Sequence, residues 1–184
     1  MAKSLVKGEK IVIGKLNEGL NQLRMGVKFV NPMEPLLDID IFAFVMDEKN
    51  CVNKEQIIFY NNPVMDKSIN YDEDYGDEEN KKTFIIDLNK LPQDIKKIVF
   101  GCSVYKGENI DDAQTLNLIF TAFEQITKME MFQIHEEIDV ASCETFLFGE
   151  IYLYKDLWKF NTVLYEHEKN ILSVLKNLYG VKFY

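Results

Sequence analysis

Residues 37–45 read LDIDIFAFV. In extended backbone, successive side chains point to opposite sides of a sheet. Asp38, Asp40, Phe42 and Phe44 therefore share one face, and Leu37, Ile39, Ile41, Ala43 and Val45 share the other. A half-exposed strand keeps one polar face along its length. Here both faces turn apolar after Asp40, the pattern of a central strand covered on each side. Two unpaired carboxylates beside a buried aromatic face are costly, so the aspartates belong at the strand's outer end.

Working outward, Gln56–Tyr60, Thr83–Leu88, Lys97–Tyr105, Thr145–Tyr154 and Trp158–Leu164 read as further strands, separated by Gly, Asn, Asp and Pro. Thr115–Ile126 fits two periods, since Leu116, Ile119, Phe120 and Phe123 also form a helical stripe. Its β-branched and aromatic content favours strand, with Met129–Ile134 returning as a hairpin partner. In YEHEKNILSVLKNLYG, Ile171, Leu172, Leu175, Leu178 and Tyr179 recur at helical spacing and Gly180 stands at the C-terminal cap. The expectation is a mainly β protein. It is one domain over residues 1–184, a two-layer β-sandwich with a C-terminal amphipathic helix at 165–180.

The chain has 184 residues, is 47% hydrophobic and 28% charged, and carries a net charge of −9. Phosphate binding needs a basic surface, so nucleic acid is an improbable partner, and an anionic membrane surface equally so. The first residues lack the apolar core of a signal peptide, and no stretch has the ~20 apolar residues of a membrane span. The three cysteines, Cys51, Cys102 and Cys143, are widely spaced. An odd number without a C-x-x-C motif fits structural thiols in a reducing cytoplasm.

The longest polar interruption lies within FYNNPVMDKSINYDEDYGDEENKKTFIIDL, residues 59–88. Asp72, Glu73, Asp74, Asp77, Glu78 and Glu79 fall within eight positions there. Like charges this dense are either solvated or neutralised by a cation. Calcium takes six to eight oxygens at roughly 2.3–2.6 Å in a flexible cage. Asp72, Asp74, Asp77 and Glu78 supply carboxylates, Gly76 allows a sharp bend, and Asn61 and Asn62 add neutral oxygens. The EF-hand pattern is absent. Asp38 and Asp40, about 6.8 Å apart on one strand face, form a second carboxylate pair that the same cation would serve. The bland alternative is a solvated acidic surface on an acidic protein.

Several segments together resemble the tellurium-resistance TerD family. SLVKGEKIVIGK is similar to its S-L-x-K-G opening, LDIDIFAFV to its F-D-L-D-A strand, and IIFYNN to its F-V-F-Y-N-N segment. IKKIVFGCSVY is similar to D-K-I-V-F, and ASCETFLFGEIYLYKDLWKF to S-x-E-T-A-x-x-F-G-E-L-Y followed by W-K-F. The pieces keep family order from Ser4 to Phe160. The resemblance implies a cytoplasmic, calcium-binding β-sandwich tied to tellurite resistance and stress response, with no assigned reaction. It also implies strand for Thr115–Ile126. The family's acidic loop, roughly G-D-N-x-T-G-x-G-D-G-D-D-E, is replaced here by SINYDEDYGDEENKK. Asp74 falls on the first family aspartate, Gly76 alone remains of several glycines, and Lys81 and Lys82 stand at the acidic end.

The expected metal residues are Asp38, Asp40, Asn62, Asp72, Asp74, Asp77 and Glu78, holding one or two Ca²⁺ ions. The expected role is a non-catalytic binding scaffold for other stress-response proteins, with the cation ordering Pro63–Lys82. The alternative is a metal-free protein-interaction module. Enzyme readings are weaker. Cys143 with His135 or His167 and Asp139 has the letters of a thiol triad but no spacing that defines one. Glu144 and Glu150, roughly 20 Å apart along an extended strand, exceed the working separation of a carboxylate pair. Two distant histidines do not suggest zinc, and Trp158 reads as core.

Overall fold

The computed structural model describes residues 3–19, 21–30, 37–49, 52, 54–73, 81–106 and 115–181. Strands run over β1 (Lys3–Ser4), β2 (Lys10–Lys15), β3 (Gln22–Val30), β4 (Leu37–Asp47), β5 (Ile57–Ile58), β6 (Val64–Met65) and β7 (Ile69–Asp72). They continue over β8 (Lys81–Asp87), β9 (Ile95–Lys106), β10 (Thr115–Glu124), β11 (Glu130–Asp139), β12 (Thr145–Tyr154) and β13 (Leu157–His167), and helix α1 spans Ile171–Tyr179. One sheet has the order β1-β11-β10-β3-β8-β7-β6 and the other β2-β13-β12-β9-β4-β5. Two sheets packed as a sandwich, with one C-terminal helix, give the architecture expected from the alternation.

Strand β4 shows why both of its faces are apolar. Ile39, Ile41, Ala43 and Val45 join the core between the sheets, beside Phe84, Phe100 and Phe120. Phe42, Phe44 and Met46 point the other way, into a second core with Val174 and Leu175 of α1. Burying a side chain of this size stabilises by roughly 1.5–3 kcal/mol, so the helix is held by what it covers. Asn170 caps its start by accepting from the Ser173 amide at 3.1 Å. Gly180, at φ 62°, closes its end in the left-handed region.

The helix matches the periodic residues but is shorter than the expected span 165–180. Tyr165, Glu166 and His167 remain in β13, opposite Leu147, Phe146 and Thr145 of β12. Ladder hydrogen bonds to a neighbouring strand outweigh a helical pattern until Asn170 supplies a cap. The strand expected at Gln56–Tyr60 shrinks to Ile57–Ile58, because a 3-10 turn occupies Lys54–Gln56 and the chain reverses between Phe59 and Asn62. Thr115–Glu124 is strand, and it pairs with β11 across the expected hairpin. The sequence reading assigns nothing to Gln22–Val30. That segment is β3, between β10 and β8, with Leu23, Met25, Val27 and Phe29 buried.

The acidic stretch divides differently from expectation. Residues 64–65 and 69–72 are strand, as β6 and β7, rather than one continuous loop. Strand β7 pairs with β8, the last partners being Asp72 and Thr83. The acidic run is thus the connection of a β-hairpin, with Glu73 and Lys82 facing each other at its mouth.

Candidate cation site

The site is built where this hairpin meets the outer end of β4. Along β8, Phe84 and Ile86 point into the inter-sheet core. Lys82 lies two residues before Phe84 and therefore points to the same side, at the core's rim. Its Nζ donates to the Ile39 carbonyl of the opposite sheet at 2.7 Å and stands 3.6 Å from Glu73 Oε1. Tyr71, inward on β7 and buried, donates its hydroxyl to the same Glu73 oxygen at 2.7 Å. A chain of polar contacts thus runs from Tyr71 through Glu73 and Lys82 to the backbone between the two aspartates.

Electrostatics show how crowded this end is. The Asp40 carboxyl is raised above the usual aspartate range, first by burial, then by Asp38, with Lys82 acting against both and Glu73 adding to the rise. The Tyr71 hydroxyl is pushed up strongly by burial, by its bond to Glu73, and by the charges of Glu73 and Asp40. Carboxylates from both sheets therefore feel one another, with one ammonium among them.

Asp40 feels the charges of Asp38, Lys82 and Glu73, but Asp38 and Asp40 share the Phe42 and Phe44 face of β4 on the helix side, whereas Glu73 and Lys82 meet at the rim between the sheets. Asp38 is exposed and Asp40 half-buried, as the strand-end placement requires. Asp72 alternates with Tyr71 along β7 and so lies on the other face of its sheet. The Asn62 amide nitrogen donates to the Ile57 carbonyl at 2.7 Å, tying its own turn. Asp74, Asp77 and Glu78 lie outside the described residues. Glu73, Lys82, Tyr71 and the Ile39 carbonyl are the participants that sequence reasoning leaves out. Only the lysine carried a signal, as a basic residue where the family pattern is acidic.

The donors here are all oxygens, the kind a hard divalent cation takes. Their number falls short, because no group of three His, Cys, Asp or Glu side chains converges to hold a metal among the described residues. The oxygens present fit calcium in chemistry but not in number, and the expected ligands Asp74, Asp77 and Glu78 lie outside the described residues.

The other candidate constellations are built into the packing. Cys143 is fully buried in the main core, and burial holds the Cys102 thiol well above its ordinary range. The His167 ring lies against Tyr165, 4.2 Å between centroids. Glu150 pairs with Lys97 at 3.2 Å and accepts from Asn161 Nδ2 at 3.2 Å. A register shift between Leu147 and Gly149 moves it to the helix side of the sheet. Trp158 is core, as expected. Among the described residues, no helix is long and apolar enough to cross a membrane.

The TerD domain model matches residues 1–178. Among curated proteins, the chain is 27% identical over 197 aligned positions to the uncharacterised protein YceE of Bacillus subtilis, covering 99% of this chain and 100% of that one. It is 28% identical to general stress protein 16U of the same organism, covering 89% and 90%. To the tellurium resistance protein TerD of an Alcaligenes species it is 26% identical, covering 98% of each. The solved structure of a TerD homologue from Streptomyces coelicolor superposes with TM-score 0.62 at 14% identity, over 89% of this chain and 100% of that one.

Proposed function

The chain belongs to the TerD family, and we propose that it acts there as a non-catalytic, calcium-binding stress-response module in the cytoplasm. The observation that supports this reading is the meeting of acidic side chains of β4 and of the β7–β8 hairpin at one end of the sandwich, where burial first, and then Asp38 and Glu73, raise the Asp40 carboxyl. Asp38, Asp40 and Glu73 would hold the ion together with oxygens from Asp74, Asp77 and Glu78. Bound there, calcium would supply positive charge that offsets their mutual repulsion. The tellurium resistance and stress proteins among the relatives give the biological setting, and the buried cysteines Cys102 and Cys143, outside any disulfide, suit a reducing compartment.

Calorimetric titration with Ca²⁺ and Mg²⁺ tests the proposal. Calcium should release or absorb heat and raise the melting temperature at millimolar concentration, and both effects should weaken in Asp40→Asn and Asp74→Asn. A flat titration with no thermal shift favours the second reading, a protein-interaction module without metal. Lys82 supports that second reading, because it already brings a positive charge to this end.

A further inference from the structure

We propose that Lys82 is the resident counter-ion of the acidic end: its ammonium, tethered to β8, offsets the charge of Glu73 and Asp40, and so weakens the site's hold on a divalent cation. The cation-affinity half of this inference rests on the calcium reading above; the counter-ion half does not.

The geometry carries the assignment. Lys82 shares the inward side of β8 with Phe84 and Ile86, both fully buried. A lysine at such a position usually extends its stem to put the ammonium in bulk water. This one crosses the gap between the sheets instead, with its side chain 25% exposed. It donates to the Ile39 carbonyl at 2.7 Å and lies 3.6 Å from Glu73. A backbone carbonyl and a carboxylate are also the oxygens that calcium collects. Ile39 adjoins Asp40 along β4, so the bond anchors the charge near that carboxylate. The Tyr71 hydroxyl holds Glu73 from the other side at 2.7 Å, which fixes the carboxylate near the ammonium.

Two consequences follow. Without metal, this end is held together across the sheets by Lys82. With metal, an incoming cation meets a like charge already in place, and binding requires the ammonium to move away. Deleting the charge then destabilises the metal-free protein and strengthens calcium binding in the same variant, a pairing that simple loss of packing does not produce.

The test uses the full chain in chelator-treated buffer and after calcium addition. Lys82→Met keeps the apolar stem and removes the charge; Lys82→Arg keeps the charge. Without calcium, Lys82→Met should melt about 3–6 °C lower than the starting protein, Lys82→Arg should stay within about 2 °C, and adding Asp40→Asn to Lys82→Met should recover part of the loss. In calorimetry, Lys82→Met should bind Ca²⁺ at least about tenfold more tightly than the starting protein. Unchanged melting of Lys82→Met, or equal losses in the Met and Arg variants, overturns the assignment. If the starting protein binds calcium and Lys82→Met binds no more tightly, the assignment falls and the calcium reading stands. If neither binds calcium while the Met–Arg contrast and the Asp40→Asn recovery hold, the calcium reading falls and the resident counter-ion stands.

Discussion

Replacing Gly149 with alanine should destabilise the protein by about 1–2 kcal/mol, more than removing most surface contacts would. Gly149 sits at the register shift of β12, where the chain crowds against β13. A Cβ built there meets the Asn161 carbonyl oxygen at 2.8 Å and Phe160 Cε1 at 2.9 Å, with Phe160 Cζ closer still. The carbonyl is backbone and cannot swing aside. The Phe160 ring cannot retreat either, because it packs 4.5 Å from Phe132 and 5.9 Å from Phe120, centroid to centroid, and is fully buried. Overpacking of this kind costs about 1–3 kcal/mol or more. Reduced freedom of the unfolded chain returns roughly 0.4–1 kcal/mol of that. A chain of this size loses about 2–4 °C of melting temperature per kcal/mol, so Gly149→Ala should melt roughly 2–8 °C lower in calorimetry. Leu172→Ala is the control: Leu172 is 56% exposed on α1 and should change stability by less than about 0.5 kcal/mol. A Gly149→Ala variant melting at or above the parent temperature would refute the close approach.

Three further outcomes can be checked in solution. Because the folded-state pKa of Asp40 is raised, mainly by burial, its contribution favours folding below the unfolded pKa and is lost as pH rises through the folded one. Metal-free Asp40→Asn should therefore be more stable than the parent at neutral pH, by a few tenths to about 1 kcal/mol after solvent screening. The gap should close below about pH 4, and urea midpoints across pH 3–8 measure it. Glu150→Ala removes the partner of Lys97, whose ammonium lies 5.6 Å from the Tyr179 ring on α1; a loss of about 1–2 kcal/mol and weaker coupling to Lys97→Met in a double-mutant cycle are expected. Phe44→Ala, which opens the second core beneath Tyr179, should cost about 3–5 kcal/mol and release the helix signal in circular dichroism before the sheet melts.

How far the sequence discloses the fold depends on which forces act locally. Alternation in 37–45 is set within one strand, and it correctly marks a segment buried on both sides. Helix start and stop depend on what lies alongside. Tyr165 to His167 fall within the expected helix span yet stay in β13, because β12 is there to take their hydrogen bonds. The parity of Glu150 was equally out of reach. Counting six residues from Glu144 predicts a shared face, but the irregularity at Gly149 inserts a half-step that no composition rule reveals. The site was legible only in part for the same reason. Asp38 and Asp40 could be placed at a strand end from their own neighbours. That Asp40 would feel the charge of Glu73, and that Lys82 would reach Ile39, depends on how the β7–β8 hairpin is laid over the opposite sheet.

The departure of the acidic loop from the family pattern and the placement of Lys82 have one physical explanation between them. A calcium cage asks for six to eight oxygens converging on a point, and short glycine-rich loops supply the bends that let them converge. An ammonium asks for far less, since it makes at most three hydrogen bonds and carries its charge on a flexible stem. Once a lysine at the rim of β8 offsets part of the charge, the loop no longer needs every bend to keep the end of the sandwich intact. Residues 73–82 hold Gly76 as their single glycine and end in Lys81–Lys82. The carboxylates persist nonetheless, in greater number than one ammonium neutralises. On the calcium reading proposed above, that surplus is what a divalent cation would bind, and Lys82→Met is the form in which such binding should be strongest.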